Sequence, residues 1–287
     1  MRDKLQAVVE NRINNLKNME LTNLNTSREP LIRKMYTLQS RGANLVKLTA
    51  RGTVIQEESR GDLTDVIYEI LWNYSIEQDG YFYLEEELER RKATFKGDRI
   101  LHDEEILVKP MSISQDLNYE EKDMKRAPIY YDRRKAVQYA ERWWNAFNPQ
   151  YPKFTDDCTN FISQCLQAGG IPMWGAPDRT KGWWMRGNTW SFSWAVAHAF
   201  QIMLKGVSWT REVEGPEDLL LGDIICYDFE GDGRFNHNTI ITGWDAYGRP
   251  LVNAHTTNSR LRYWTYEDST AYTPNLKYRF FHILAKE

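Results

Sequence analysis

The chain is poor in the residues that most often anchor a small fold or a metal. Among 287 residues there are three cysteines, Cys158, Cys165 and Cys226, with no Cys-x-x-Cys spacing. That excludes a disulfide framework and a zinc knuckle as organising devices, and leaves three free thiols. Histidine is scarce as well: His102, His198, His237, His255 and His282 are the only five. No stretch approaches the roughly 18 apolar residues of a membrane span, so none is expected. The N-terminus enters a charged helical pattern at once, without the apolar region of a secretory signal, and the chain as written is expected in the cytoplasm. Neither charge sign dominates: 37 Lys+Arg against 40 Asp+Glu gives a net charge of −3, which argues against nucleic acid or an anionic membrane as the main partner.

What the chain does contain is enough apolar mass for a core. Hydrophobic residues make up 41% and charged residues 27%, a globular balance. The length suits two domains. Tryptophan marks the seam: of eleven, only Trp72 precedes residue 140. The segment up to residue 125 carries more acid than base.

Leu5, Val8, Val9, Ile13, Leu16 and Met19 recur at helical spacing, and Ser27, Glu29 and Pro30 open a second short helix carrying Leu31, Met35 and Leu38. From Ala43 the pattern turns to strands at about 43–58, 63–78, 81–96 and 99–108, divided by Arg60-Gly61-Asp62, Asp79-Gly80 and Lys96-Gly97-Asp98. Residues 1–108 therefore read as an α+β domain of helix plus curved antiparallel sheet. It loosely resembles the cone-shaped nuclear transport factor 2-like fold. Residues 109–127 read as a linker.

From residue 128 the order is helices, then strands. Asp132 caps a helix that holds Ala136, Val137, Ala140, Trp143 and Trp144, and another runs from near Asp157 to Gly169. A third is expected between Gly182 and Leu204, with Trp190 and Trp194 one turn apart. Strands follow at 223–228, 237–244, 249–255, 260–266 and 277–284. The second half is α+β, with helices packed on an antiparallel sheet.

The run Thr155-Asp156-Asp157-Cys158-Thr159-Asn160 places Cys158 in the first turn of its helix, where unpaired N–H groups and the helix dipole favour a thiolate. Asp156 and Asp157 oppose that. Burial in an apolar stripe with Phe161, Ile162 and Cys165 is the competing reading. A nucleophilic thiol needs a base. His237 opens one strand and His255 closes the next, so an antiparallel hairpin brings both to one end of the sheet. One imidazole can take the thiol proton while the other, or Asn253, fixes its tautomer. Zinc ligation by Cys158, His237 and His255 lacks a short-spaced ligand pair, so no metal or other cofactor is expected.

The blocks Tyr130-Tyr131-Asp132-Arg133, Asp157-Cys158-Thr159-Asn160-Phe161-Ile162-Ser163-Gln164, Ala168-Gly169-Gly170, Gly222-Asp223, His237-Asn238-Thr239-Ile240-Ile241-Thr242-Gly243 and Asn253-Ala254-His255-Thr256 together resemble the putative amidase domain of Gram-positive bacteria. That domain belongs among the papain-like cell-wall hydrolases that include NlpC/P60 and CHAP domains. The resemblance spans about residues 128–285 and implies a papain-like fold. It also implies a Cys158 nucleophile, a His237 base and a third residue that is His255 or Asn253. The implied reaction is thioester-mediated cleavage of an amide in peptidoglycan or a muropeptide, with the oxyanion held by N–H groups at the helix start. Asn236 before His237 and polar Asn238 after it depart from the family's usual strand.

Asp157, Thr159 and Asn160 are candidates for substrate contacts, Asp157 equally for a helix cap. Trp183 and Trp184 are candidates for an aromatic cleft wall. The rival functions are an inactive papain-like scaffold and an acyltransferase that resolves the thioester with an amine. The N-terminal domain is a candidate for protein association. A cell-wall role without a signal peptide would need non-classical release, for instance during sporulation.

Overall fold

The computed structural model describes residues 1–17, 30–111 and 130–284. The helix start at Ser27 and Glu29, and most of the stretch read as a linker, lie outside them. Two compact units are present: Met1–Leu107 with Thr265–Thr270, and Val108–Trp264 with Ala271–Glu287. Each is mixed α+β.

In the first unit, helices α1 (Arg2–Lys17) and α2 (Pro30–Ser40) precede four strands, β1 (Asn44–Arg60), β2 (Leu63–Gln78), β3 (Tyr81–Lys96) and β4 (Arg99–Glu105). They pair as a plain antiparallel meander in chain order. The β2–β3 turn is the two-residue Asp79-Gly80, both at positive φ (51° and 78°), as a hairpin matching the sheet's twist requires. Alternation along β2 is strict: Val66, Tyr68, Ile70, Trp72, Tyr74 and Ile76 are buried and the residues between them are not.

The inward face of β3 carries charge instead. Glu85 and Glu89 are buried there. Arg12 and Arg91 meet Glu89 at 2.9 and 2.5 Å, Trp72 Nε1 donates to Glu89 at 2.7 Å, and Lys34 pairs with Glu85. Thr265–Thr270, which the sequence places inside the C-terminal domain, groups with this unit because buried Asp268 approaches Lys34 Nζ at 2.5 Å. A hydrophobicity pattern cannot foresee that ion pair.

In the second unit, α3 (Arg133–Trp143) starts at Asp132, whose carboxylate accepts from the Lys135 N–H at 3.0 Å, and α4 runs Cys158–Ala168. The segment expected as one Trp-rich helix is broken into a small hairpin, β5 (Met185–Arg186) with β6 (Thr189–Trp190), and the helices α5 (Phe192–Ala195) and α6 (Ala197–Gly206). Gly187 at φ 57° turns the hairpin and Val196 is extended between the helices, so Trp190 lies on a strand and only Trp194 on a helix.

The sheet then forms from β7 (Thr210–Val213), β8 (Ile224–Asp228), β9 (His237–Trp244), β10 (Pro250–Ala254), β11 (Ser259–Tyr263) and β12 (Lys277–Ile283). Its order is β11-β10-β9-β8-β12-β7, all antiparallel. Ile224, Cys226, Ile240 and Phe281 face Phe161, Ile162, Cys165, Phe200 and Met203 of α4 and α6 in one core.

The β9–β10 register decides which residues share a face. Leu251 pairs with Gly243, but after a bulge at Thr242 Val252 pairs with Ile241 and Asn253 with Ile240. One extra residue inverts the facing of everything beyond it. Asn253 and His255 therefore look toward the helices with Ile240 and Asn238, whereas His237 looks the other way with Thr239.

Candidate active site

Cys158 is the first residue of α4 and 1% exposed. Its sulfur lies 3.6 Å from Asp156 Oδ1 and 3.6 Å from Thr159 Oγ1, and the backbone N–H of Asn238 donates toward it. Burial pushes the thiol far up, and the Asp156 carboxylate pushes it further. The hydrogen bonds from Thr159, the Asn238 amide and Thr256 act in the opposite direction. Position at a helix N-terminus alone does not make a thiolate here: burial outweighs it, and the Asp157 and Cys158 N–H groups already donate elsewhere.

Their acceptor is Thr256. Its Oγ1 receives the N–H groups of both Asp157 and Cys158 at 3.1 Å and donates to Asp156 Oδ1 at 3.1 Å. A side chain 98 residues downstream thus caps α4, while the N-cap residue Asp157 makes no capping bond with its own carboxylate. Thr256 holds φ at 80°, a conformation in which a β-branched residue carries about 1–3 kcal/mol of strain. Three hydrogen bonds at one hydroxyl, two accepted and one donated, over-determine it. Neither Asp156 nor Thr256 stands out by residue type. Their roles depend on the turn at His255–Asn258 bringing a hydroxyl back onto the helix start.

Asp157 is turned to His255 instead. Its Oδ2 meets His255 Nδ1 at 2.7 Å, and its Oδ1 accepts from the Phe154 N–H at 3.1 Å and from Asn160 Nδ2 at 3.0 Å. The other ring nitrogen of His255 lies 2.8 Å from the Trp143 carbonyl oxygen, and the ring stacks on Phe161 with centroids 4.0 Å apart. Both nitrogens face acceptors, so His255 is clamped and Cys158 makes no hydrogen bond to it. Asn253 is equally committed: Oδ1 accepts from Thr242 Oγ1 and the Leu261 N–H, and Nδ2 donates to Glu141 at 2.8 Å.

His237 pairs across the ladder with Tyr227, and its ring lies 5.6 Å from the Tyr227 ring and 6.1 Å from that of Phe229. Burial, helped by the nearby positive charge of Arg262, lowers its pKa to about 3, so the imidazole is neutral. It is bonded through the backbone to Asn238, whose N–H meets the sulfur, yet the structure shows no side-chain hydrogen bond from Cys158 to His237. Hairpin topology does bring the two imidazoles to one end of the sheet, but the bulge places them on opposite faces.

Of the substrate-contact candidates, Thr159 Oγ1 touches the sulfur and accepts from Asn238 Nδ2 at 2.9 Å. Asn160 bridges the Pro152 carbonyl, Asp157 and Trp194 Nε1. Trp183 and Trp184 are buried, at 0% and 2% exposure. The Trp183 indole donates to Ser163 Oγ at 2.9 Å and packs 4.8 Å from Trp194, and Trp184 Nε1 donates to the Lys181 carbonyl at 3.1 Å. In this form they are core residues and wall no open cleft. No group of three or more metal-ligating side chains occurs among the described residues. None of the described helices is long and apolar enough to cross a membrane.

This is an α+β domain built around a buried, helix-initiating thiol, with imidazoles at the adjacent ends of two paired strands. The chain belongs to the Putative amidase domain family, whose pattern matches residues 130–281, and amide hydrolysis is the activity that the family suggests. It is 46% identical over 265 residues, 88% of this chain and 85% of the relative, to YhbB, an uncharacterized protein of Bacillus subtilis (strain 168). It is 31% identical over 134 residues, 43% of this chain and 30% of the relative, to YjcM, an uncharacterized protein of the same strain. No solved structure matches.

Proposed function

We propose that the second unit is a papain-like cysteine amidase in which Cys158 attacks the amide carbonyl, His237 accepts the thiol proton and delivers it to the leaving amine, and water resolves the thioester. The observation that carries this reading is the contact from the sulfur on the first residue of α4 through Thr159 Oγ1, 3.6 Å away, to Asn238 Nδ2, which donates to that hydroxyl at 2.9 Å and so sets the start of the His237 strand beside the thiol. His255, clamped between Asp157 and the Trp143 carbonyl, is then a positioning residue that fixes the helix start. With the thiol pushed up and His237 held down at about 3, the pair is neutral in this closed form. The ion pair forms only when substrate rearranges the site. The proposed substrate is a peptide or amide bond of peptidoglycan or a muropeptide, as in NlpC/P60 and CHAP domains.

In the same reading the first unit is an association module of the nuclear transport factor 2-like kind. Between α1 and β1–β2 it holds a cavity of about 610 Å³, lined by Leu5, Val9, Ile13, Val54 and Tyr68 among others.

Iodoacetamide labelling tests the nucleophile. Alkylation confined to Cys158, lost in His237→Ala and kept in His255→Gln, is the expected pattern. Labelling of Cys158 no faster than of the buried Cys165 would refute a catalytic thiol, and so leave the scaffold reading. Product masses with muropeptides and added free amines separate hydrolysis from acyl transfer.

A further inference from the structure

We infer that Thr256 governs the oxyanion site: in the closed form its hydroxyl occupies the place that the reaction's oxyanion takes, and its turn must withdraw before the site can work. The inference rests on Cys158 being the nucleophile. When the sulfur's electron pair forms the C–S bond, the carbonyl π pair moves to oxygen and the thiol proton passes to His237. The new oxyanion needs donors beside the sulfur, and the N–H groups of Cys158 and Asp157 stand at the positive end of α4. In this structure both converge at 3.1 Å on one oxygen, Thr256 Oγ1. A single oxygen bound by two convergent amides next to the thiol has the geometry of a bound oxyanion.

Two further observations make Thr256 a displaceable occupant and not simply a cap. It sits at φ 80° in the tight turn that joins β10 to β11, so leaving the helix start lets a β-branched residue relax to an ordinary backbone conformation. Its hydroxyl proton is directed to Asp156 Oδ1, the carboxylate that also lies 3.6 Å from the sulfur. Withdrawal of the turn therefore frees the two donors and changes the partners of the carboxylate that holds the thiol up. Covering the thiol and filling the oxyanion site become one act.

The test compares two probes of the full-length protein. N-acetyl-alaninal forms a hemithioacetal with Cys158 and needs the oxyanion site. Iodoacetamide alkylates the same sulfur without it. In Thr256→Gly the aldehyde affinity, taken relative to the alkylation rate, should rise about tenfold, the order of one or two net hydrogen bonds no longer displaced. Thr256→Ser, which restores the hydroxyl, should return the ratio toward that of the wild type, with melting temperatures showing that each variant is folded. An unchanged or lowered ratio in Thr256→Gly would overturn the inference, because it would make Thr256 a structural cap only. A wild-type Cys158 that neither alkylates nor binds the aldehyde would overturn the nucleophile assignment itself, and would do so before any Thr256 variant is made.

Discussion

Asp157 offers the sharpest test of how the helix start is held together. It is 2% exposed and its carboxylate has three polar partners: His255 Nδ1 at 2.7 Å, Asn160 Nδ2 at 3.0 Å and the Phe154 N–H at 3.1 Å. Because His255 Nε2 faces the Trp143 carbonyl, which can only accept, Nε2 carries a proton and Nδ1 must find its partner in Asp157. Asp157→Ala removes that partner and leaves the buried His255 Nδ1 and the half-buried Phe154 N–H without theirs. Breaking one side of a buried, hydrogen-bonded pair costs about 3–5 kcal/mol. For a unit of this size that is a fall of about 6–20 °C in melting temperature.

Asp157→Asn behaves differently, since an amide oxygen can still accept from Phe154 and Asn160 while its NH₂ donates to a neutral His255 Nδ1. The expected loss is about 1 kcal/mol or less. Intrinsic fluorescence suits the assay, because ten of the eleven tryptophans follow residue 140 and so report on the second unit. Equal losses in the two variants would refute the reasoning, for they would mean that bulk and not hydrogen-bond polarity holds the site. So would a negligible loss in Asp157→Ala.

Protonation of His237 should be visible in stability. With a folded pKa near 3 against an ordinary value of 6.5, the unfolded chain binds the extra proton between those limits, so stability falls as pH drops through that window. At pH 4.5 the group's contribution is a loss of about 2–3 kcal/mol. His237→Gln should flatten the fall in melting temperature between pH 7 and pH 4.5, and an unchanged slope would place His237 in contact with water. In the first unit, Lys34→Met should leave Glu85 and Asp268 buried without their shared cation and cost about 3–5 kcal/mol. Hydrogen exchange along β2 and β3 should accelerate while the protection of β8 and β9 is retained, and unchanged exchange would show that the ion pair is dispensable.

Secondary structure was legible wherever one face alone meets the core. The strict period of two along β2, and the turns at Gly61, Asp79-Gly80 and Gly97, are written in residue type, and the strands observed agree with them to within a few residues. The Trp-rich stretch was not legible, because tryptophans packed from several directions impose no single period. Trp183 and Trp184 read as the aromatic wall of a cleft, on a glycine-containing loop, yet a backbone bridge between Trp174 and Trp183 folds that loop into the core. The inward carboxylates Glu85 and Glu89 break the binary pattern, and only their distant cations account for them.

By itself the sequence determined that a thiol begins a helix and that two histidines end neighbouring strands, and its ordered blocks pointed to the amidase family. Those are properties of local periodicity and chain order. Tertiary structure alone decided which groups meet. A bulge at Thr242 turned His255 and Asn253 away from the face of His237, and a strained Thr256 came back 98 residues to sit on the N–H groups of Cys158 and Asp157. The physical reason is the same in both cases: a one-residue change of register, or a single backbone angle in a four-residue turn, involves few residues and leaves no mark in composition, yet it reassigns every side-chain partner beyond it.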